Sequence, residues 1–190
     1  MRCFIAIDLD DTIKDELAAL QRELAGQVDI RRGDLKWVQP EATHLTLKFL
    51  GEIRDKEAVD VCNATKVVSS RHSRFEIEIA TVGHFGGKSA RVLWVGAGHD
   101  CEALTALHDD LEGQLETVGF AREGRKFAGH LTLCRVRNTK AGFKLARLSE
   151  QYTDYDLGSM PAEAVCVYQS QLTPTGPIYT LLGRYQMTQA

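Results

Sequence analysis

The sequence predicts an α+β fold: bilobal, with two pseudo-symmetric lobes whose antiparallel sheets line a central cleft and whose helices lie outside. Three observations carry that expectation. The tetrapeptide His-Leu-Thr-Leu occurs at residues 44–47 and again at residues 130–133. The order of helical and strand patterns around it recurs in the second half of the chain. Successive strand patterns at 75–82 and 91–95 follow each other too closely for the helical crossover that parallel pairing needs. The sheets are therefore antiparallel, with helices on their outer faces. The expected organisation is a single domain, 1–190, built from two intertwined similar lobes, and 190 residues are enough to bury a proper core.

Residues 3–9 read as a buried strand. Asp10 or Asp11 can cap the helix that follows, in which Ile13, Leu17, Leu20 and Leu24 form one stripe. Residues 26–34 read as a loop and 35–38 as a short strand ended before Pro40. The strand 43–50 carries the first motif and is closed by Gly51; Asp55 then caps a helix reaching about Ser69. Phe75, Ile77, Ile79 and Thr81 alternate with Glu76, Glu78 and Ala80, as in a half-exposed strand. A glycine-containing turn at 84–89 leads to a strand at 91–95. Asp100 heads the clearest helix, with Leu104, Leu107, Leu111, Leu115 and Val118 on one face. A basic loop enters the second motif strand, 129–135. Residues 140–151 read as helix, and 163–172 and 178–187 as strands joined by the turn Pro174-Thr175-Gly176-Pro177.

Composition is that of an ordinary soluble globular chain, 44% hydrophobic and 26% charged. No apolar run approaches the roughly 20 residues that cross a bilayer, so no membrane association is expected. The start, Met1-Arg2-Cys3-Phe4-Ile5-Ala6-Ile7-Asp8, reads as a strand rather than a signal peptide. Five cysteines (Cys3, Cys62, Cys101, Cys134, Cys166) form no Cys-x-x-Cys, which points away from a disulfide framework or zinc cluster and towards a reducing cytoplasm. A net charge of −3 argues against a broad electrostatic footprint on duplex nucleic acid. Charge is nonetheless local: Arg31, Arg32 and Lys36 precede the first motif, and Arg122, Arg125 and Lys126 precede the second. As single residues they read as solvated loop charges; as a recurrence they flank a site for a phosphorylated ligand.

On a strand, alternate side chains share a face. His44 and Thr46 therefore point one way while Leu45 and Leu47 enter the core, and His130 and Thr132 relate in the same manner to Leu131 and Leu133. Each motif presents an imidazole and a hydroxyl on a rigid support, which is preorganisation. Histidine exchanges protons near neutral pH, so two in matched frames suggest a base and an acid acting on opposite sides of one bond. Lys48 lies on the His44 face by the same parity and can add positive charge to the cleft. Strict alternation places Arg135 opposite to His130, so it reaches a phosphate only if the strand twists or ends there. Phe49 falls with Leu45 and Leu47 and reads as core.

Other chemistries lack support. No His-x-x-x-His, His-Glu-x-x-His or third ligand of usable spacing accompanies the two histidines, so no metal is expected and no cofactor is implied. There is no Gly-x-Ser-x-Gly elbow, and residues 83–89 only approach the spacing of a nucleoside-triphosphate loop. His72, His99 and His108 read as surface or cap residues; His84, in its glycine-rich turn, is kept open. Trp37 and Phe127 precede the motif histidines and can either stack on a base or pack in the core.

The paired motifs, together with Arg2-Cys3-Phe4-Ile5-Ala6-Ile7, the block from Trp37 through Gly51, Arg91-Val92-Leu93-Trp94-Val95-Gly96, the block from Phe127 through Arg135 and that from Ser170 through Tyr179, resemble the 2H phosphoesterase superfamily. Within it the chain is most similar to the RNA 2′,3′-cyclic phosphodiesterases, also called 2′-5′ RNA ligases. One departure stands out: family members commonly carry proline just before the second motif histidine, where this chain has Gly129, a more permissive residue that leaves the rigidity of the approach in question. The resemblance implies metal-independent hydrolysis of an RNA 2′,3′-cyclic phosphate end to a 2′-phosphate. His44 and His130 would be the proton donor and acceptor pair, in an order near-identical motifs do not assign. Thr46 and Thr132 would bind the non-bridging oxygens, and Lys48 and Arg135 are further substrate-binding candidates. The expected partners are RNA ends or nucleotides bearing a 2′,3′-cyclic phosphate, with no obligate protein partner. Ligation of tRNA halves, hydrolysis of small cyclic nucleotides and a non-enzymatic RNA-end binding module remain the alternatives.

Overall fold

Two antiparallel sheets face one another, and each motif strand belongs to a different one. The computed structural model describes residues 1–31, 33–174 and 176–189. The strands are β1 (Arg2–Asp8), β2 (Leu35–Trp37), β3 (His44–Glu52), β4 (Phe75–Phe85), β5 (Val92–Ala97), β6 (His130–Val136), β7 (Asp156–Ala162), β8 (Ala164–Leu172) and β9 (Pro177–Gln186). The first sheet has the order β3-β1-β8-β9 and the second β2-β6-β5-β4-β7. Among the described residues there are four α-helices, α1 (Asp11–Gln27), α2 (Asp55–Ser69), α3 (Glu102–Thr117) and α4 (Thr139–Ser149), which pack against the sheets. The α+β class and bilobal form expected from the sequence are thus present.

Two of the helices link the lobes. α1 follows β1 of the first sheet yet packs on β7 of the second, while α3 follows β5 of the second sheet, touches its β4, and packs beside α2, which covers β8 and β9 of the first. α4 lies on β4, β5 and β6. The stripes predicted for α1 and α3 supply the core: Ile13, Leu17, Leu20 and Leu24 are buried, as are Leu104, Leu107, Leu111 and Leu115, whereas Val118, counted in the second stripe, lies past the end of α3 as its half-buried C-cap residue. Asp10, not Asp11, caps α1, its carboxylate accepting the Ile13 N–H at 2.8 Å.

Several boundaries differ from expectation for local reasons. α1 continues through Gly26 to Gln27, which shortens the loop. α2 is capped by Arg54 through a reciprocal pairing with Glu57, whose carboxylate accepts the Arg54 N–H at 2.7 Å, so Asp55 is already inside the helix. α3 starts after Cys101, because Asp100 takes a left-handed φ of 56°. β3 passes through Gly51, at φ 71°, and ends at Glu52. β7 had no counterpart in the sequence pattern. It contains Pro161 and a left-handed Gly158, and it forms the edge of its sheet, where a missing N–H costs no ladder bond.

Candidate active site

Both motif strands carry a β-bulge at the same place. Opposite β1, Thr46 pairs with Ala6 and Lys48 with Ile5, leaving Leu47 as the extra residue. Opposite β5, Thr132 pairs with Trp94 and Cys134 with Leu93, leaving Leu133 extra. The Leu133 carbonyl is satisfied by the Val38 N–H at 2.9 Å and the Gln21 amide at 3.1 Å. A bulge places two successive side chains on one face and reverses the parity beyond it. Leu45 and Leu47 are buried as the alternation predicts, and so are Leu131 and Leu133. His44, Thr46, His130 and Thr132 are half-buried on the opposite face of their strands.

Beyond the bulges the simple parity fails in both lobes, and three expectations are corrected. Lys48 does not face the cleft. It turns inward with Leu47, is 6% exposed, and lies 2.7 and 2.8 Å from the two carboxylate oxygens of Glu112 on α3. Phe49 is not core; it emerges on the cleft side, 62% exposed, with its ring 6.1 Å from that of Phe4. Arg135 reaches the His130 face after all and is exposed beside Lys36, its cross-strand partner. Arg135 also bears on the first lobe, since its charge acts on the Tyr179 phenol, whose ring stands edge-on to His44 at 5.2 Å.

The two imidazoles are held alike but surrounded differently. His130 places Nδ1 2.9 Å from the Ala128 carbonyl. A carbonyl only accepts, so Nδ1 carries the proton and Nε2 is left to exchange one. His44 likewise donates to the carbonyl two residues back, that of Ala42. Around His130 stand Phe85, edge-on at 5.0 Å, and Trp94 at 6.4 Å. His44 instead stacks on Phe4 at 4.4 Å, in a cluster that includes Tyr168 and Tyr179. Burial in this cluster pushes the His44 pKa down to about 4, outweighing the opposing pull of Asp8 and of the Ala42 hydrogen bond. Asp8, the register partner of His44, accepts from the Tyr168 hydroxyl at 2.8 Å and the Arg184 guanidinium at 2.9 Å. Burial, then Asp8, pushes the Tyr168 phenol well above its usual range, so it stays a donor.

This arrangement makes stability pH-dependent. An unfolded His44 binds a proton near its ordinary pKa of 6.5, whereas the folded one does so only near 4. Between those values the unfolded chain holds more protons, so lowering the pH from about 6.5 to about 4 costs up to about 3 kcal/mol through this residue. Urea unfolding of the wild type and of His44→Gln at pH 7 and pH 4.5 should show the smaller acid loss in the variant. Equal losses in both would mean that the buried imidazole is not what titrates.

Gly129 has a steric reason that the sequence pattern did not reveal. A Cβ there would collide with the Ala97 carbonyl oxygen, in the segment where the Ala97 N–H donates to the Gly129 carbonyl at 2.9 Å, and would touch Leu45 of β3. Glycine thus allows the approach to His130 to pass close to both β5 and the first motif strand; it does not merely loosen a loop.

The remaining candidates have other positions. Arg122 pairs with Glu116 at 2.9 Å, and Arg31 lines a separate surface pocket with Asp34, Asn138 and Lys140. Arg32 lies outside the described residues. His84 is structural, bound to Ser149 and the Gly87 carbonyl, both at 2.9 Å. His108 is buried rather than a surface residue and stacks on Phe127 at 4.2 Å, while Trp37 packs against the core. Phe4, Asp8, Tyr168, Tyr179 and Phe85 are the site-lining residues that residue patterns did not single out. The signal available was parity along β1, whose residues 4, 6 and 8 share the face of His44. Among the described residues no three His, Cys, Asp or Glu side chains converge as a metal-holding group, and no helix is long and apolar enough to cross a membrane.

A family model described as LigT like Phosphoesterase matches residues 7–94 and 98–179. The RNA 2′,3′-cyclic phosphodiesterase of Methanocaldococcus jannaschii is 32% identical over 97% of this chain and 100% of its own. The protein of the same name from Methanothermobacter thermautotrophicus is 33% identical over 95% of each chain. In fold the chain is similar to a crystal structure from Thermus thermophilus, with a TM-score of 0.81 at 24% identity over 98% of both chains. It is similar also to E. coli LigT complexed with 3′-AMP, with a TM-score of 0.79 at 22% identity, covering 99% of this chain and 98% of that one.

Proposed function

The chain belongs to the LigT-like phosphoesterases, and from that membership we propose that it is an RNA 2′,3′-cyclic phosphodiesterase that opens the cyclic phosphate to a 2′-phosphate without a metal. The observation that carries the reading is the duplicated pair of imidazole and hydroxyl, His44 with Thr46 and His130 with Thr132, on two strands that touch although they belong to different sheets. Relatives bearing that enzyme name over nearly the whole chain support it.

Ring opening requires water to attack phosphorus as the bond from phosphorus to the 3′ oxygen breaks, with one proton leaving the water and another reaching that oxygen. His44, neutral because burial holds its pKa near 4, is the group ready to accept a proton. The bound phosphate's negative charge raises the ring's proton affinity towards a useful value. His130, its Nδ1 engaged with Ala128, gives its Nε2 proton to the departing 3′ oxygen. The Thr46 and Thr132 hydroxyls donate to the non-bridging oxygens as charge grows on them. Arg135, with Lys36 alongside, adds positive charge at the phosphate, and the exposed Phe49 ring offers a surface for a nucleobase.

The test is incubation of chelator-treated protein with an oligonucleotide ending in a 2′,3′-cyclic phosphate, followed by identification of the product isomer. A 2′-phosphate formed at an undiminished rate is expected. A 3′-phosphate product, or turnover that returns only on adding a divalent metal, would overturn the reading.

A further inference from the structure

We propose that the buried Lys48–Glu112 pair is a positioning device: it ties the first motif strand to the loop that delivers His130, and so sets the relation of the two histidines. The inference rests on the catalytic reading above, which gives that relation its meaning. Lys48 follows Thr46 by two residues on β3, and the bulge at Leu47 turns it away from the cleft. Its ammonium meets the Glu112 carboxylate and also donates to the Ala121 carbonyl at 2.7 Å. Glu112 in turn accepts the Glu123 N–H at 2.8 Å. Both charged side chains are 6% exposed.

The residues held in this way belong to a single segment. The chain from 119 to 129 has no helix or strand of its own, and it joins α3 directly to β6. Its near end is fixed at Ala121 and Glu123 by Lys48 and Glu112. Its middle is fixed where Phe127 stacks on the buried His108, whose Nε2 lies 3.8 Å from the same Glu112 carboxylate. Its far end supplies the Ala128 carbonyl that orients the His130 ring and the Gly129 carbonyl bound by Ala97. A run of contacts therefore leads from the first His-x-Thr strand to the acceptor that sets the tautomer of the second histidine. At the position equivalent to Lys48, one residue past the bulge, the second lobe carries the uncharged, buried Cys134. The tie runs in one direction only.

Two buried charges are a poor means of gaining stability, since apolar replacements of a buried ion pair are often neutral or stabilising. That property separates positioning from mere support. Lys48→Met alone leaves Glu112 buried without its partner and should lower both stability and turnover. Lys48→Met combined with Glu112→Met removes both charges and should regain most of the melting temperature. In the double variant we expect kcat to stay roughly 10- to 100-fold low with KM little changed, because misplacement of an acid acts on the chemical step. Amide hydrogen exchange across 119–129 should be about tenfold faster than in the wild type, a local loosening measurable whatever the activity. A double variant with wild-type kcat, or with wild-type exchange in that segment, would overturn the inference. Turnover of the wild-type protein in the same assay judges the catalytic reading separately, and the exchange result stands without it.

Discussion

On an RNA end carrying a 2′,3′-cyclic phosphate, His44→Ala and His130→Ala should each lower turnover by about 10²–10⁴-fold, the usual contribution of a positioned acid or base. Neither side chain lies in the hydrophobic core, although His44 covers Phe4, so His44→Gln serves as a better-packed companion variant. The wild-type profile of kcat/KM against pH should be bell-shaped, because one imidazole must be free and the other protonated. Its acid limb belongs to the group that must lose a proton. With His44 as that group, the limb falls near pH 4 and disappears in His44→Gln, while His130→Ala loses the alkaline limb. Loss of the limbs in the reverse order would exchange the two roles and keep the pair. A folded His44→Ala or His130→Ala protein with near-normal turnover would dismiss the pair, and the repeated motif would then be scaffold for a binding module.

The second large effect concerns the hydroxyls. Thr46→Val and Thr132→Val preserve the branched shape and remove only the donor. Loss of one donor to developing oxyanion charge typically reduces kcat by about 10²–10³-fold. The lower part of that range is expected, because the half-buried threonines border an open cleft where water substitutes in part. The reduction should appear in kcat with KM nearly constant, as befits an interaction made mainly in the transition state. Wild-type kinetics in both variants would leave the threonines with a structural role alone.

Much of this molecule obeys local rules. Each helix stripe is a matter of period, and the buried leucines of α1 and α3 are the ones the spacing selects. Asp10 caps α1 because a carboxylate at that position can reach the N–H of residue 13. The two His-Leu-Thr-Leu strands divide imidazole and hydroxyl from leucine by the pleat, and the structure keeps that division. β7 was illegible for the complementary reason: its Pro161 and Gly158 argue against a strand, and only an edge position in the assembled sheet makes them tolerable.

The sequence by itself determined the fold class and the duplicated motif, which are read from patterns recurring along the chain, and the orientation of the motifs' four polar side chains, which depends on neighbours within a few residues. The tertiary structure alone decided the course of each strand beyond its motif. Leu47 and Leu133 bulge because of how β3 pairs with β1 and β6 with β5, a register set between segments far apart in the chain. That single extra residue sends Lys48 inward to Glu112 and brings Phe49 and Arg135 to the cleft. The low pKa of His44 is equally non-local, since Phe4, Tyr168 and Tyr179 come from three other strands and remove its solvent. A period of two is written into the backbone of any strand, whereas its interruption and the desolvation of a side chain depend on partners that only the folded chain brings together.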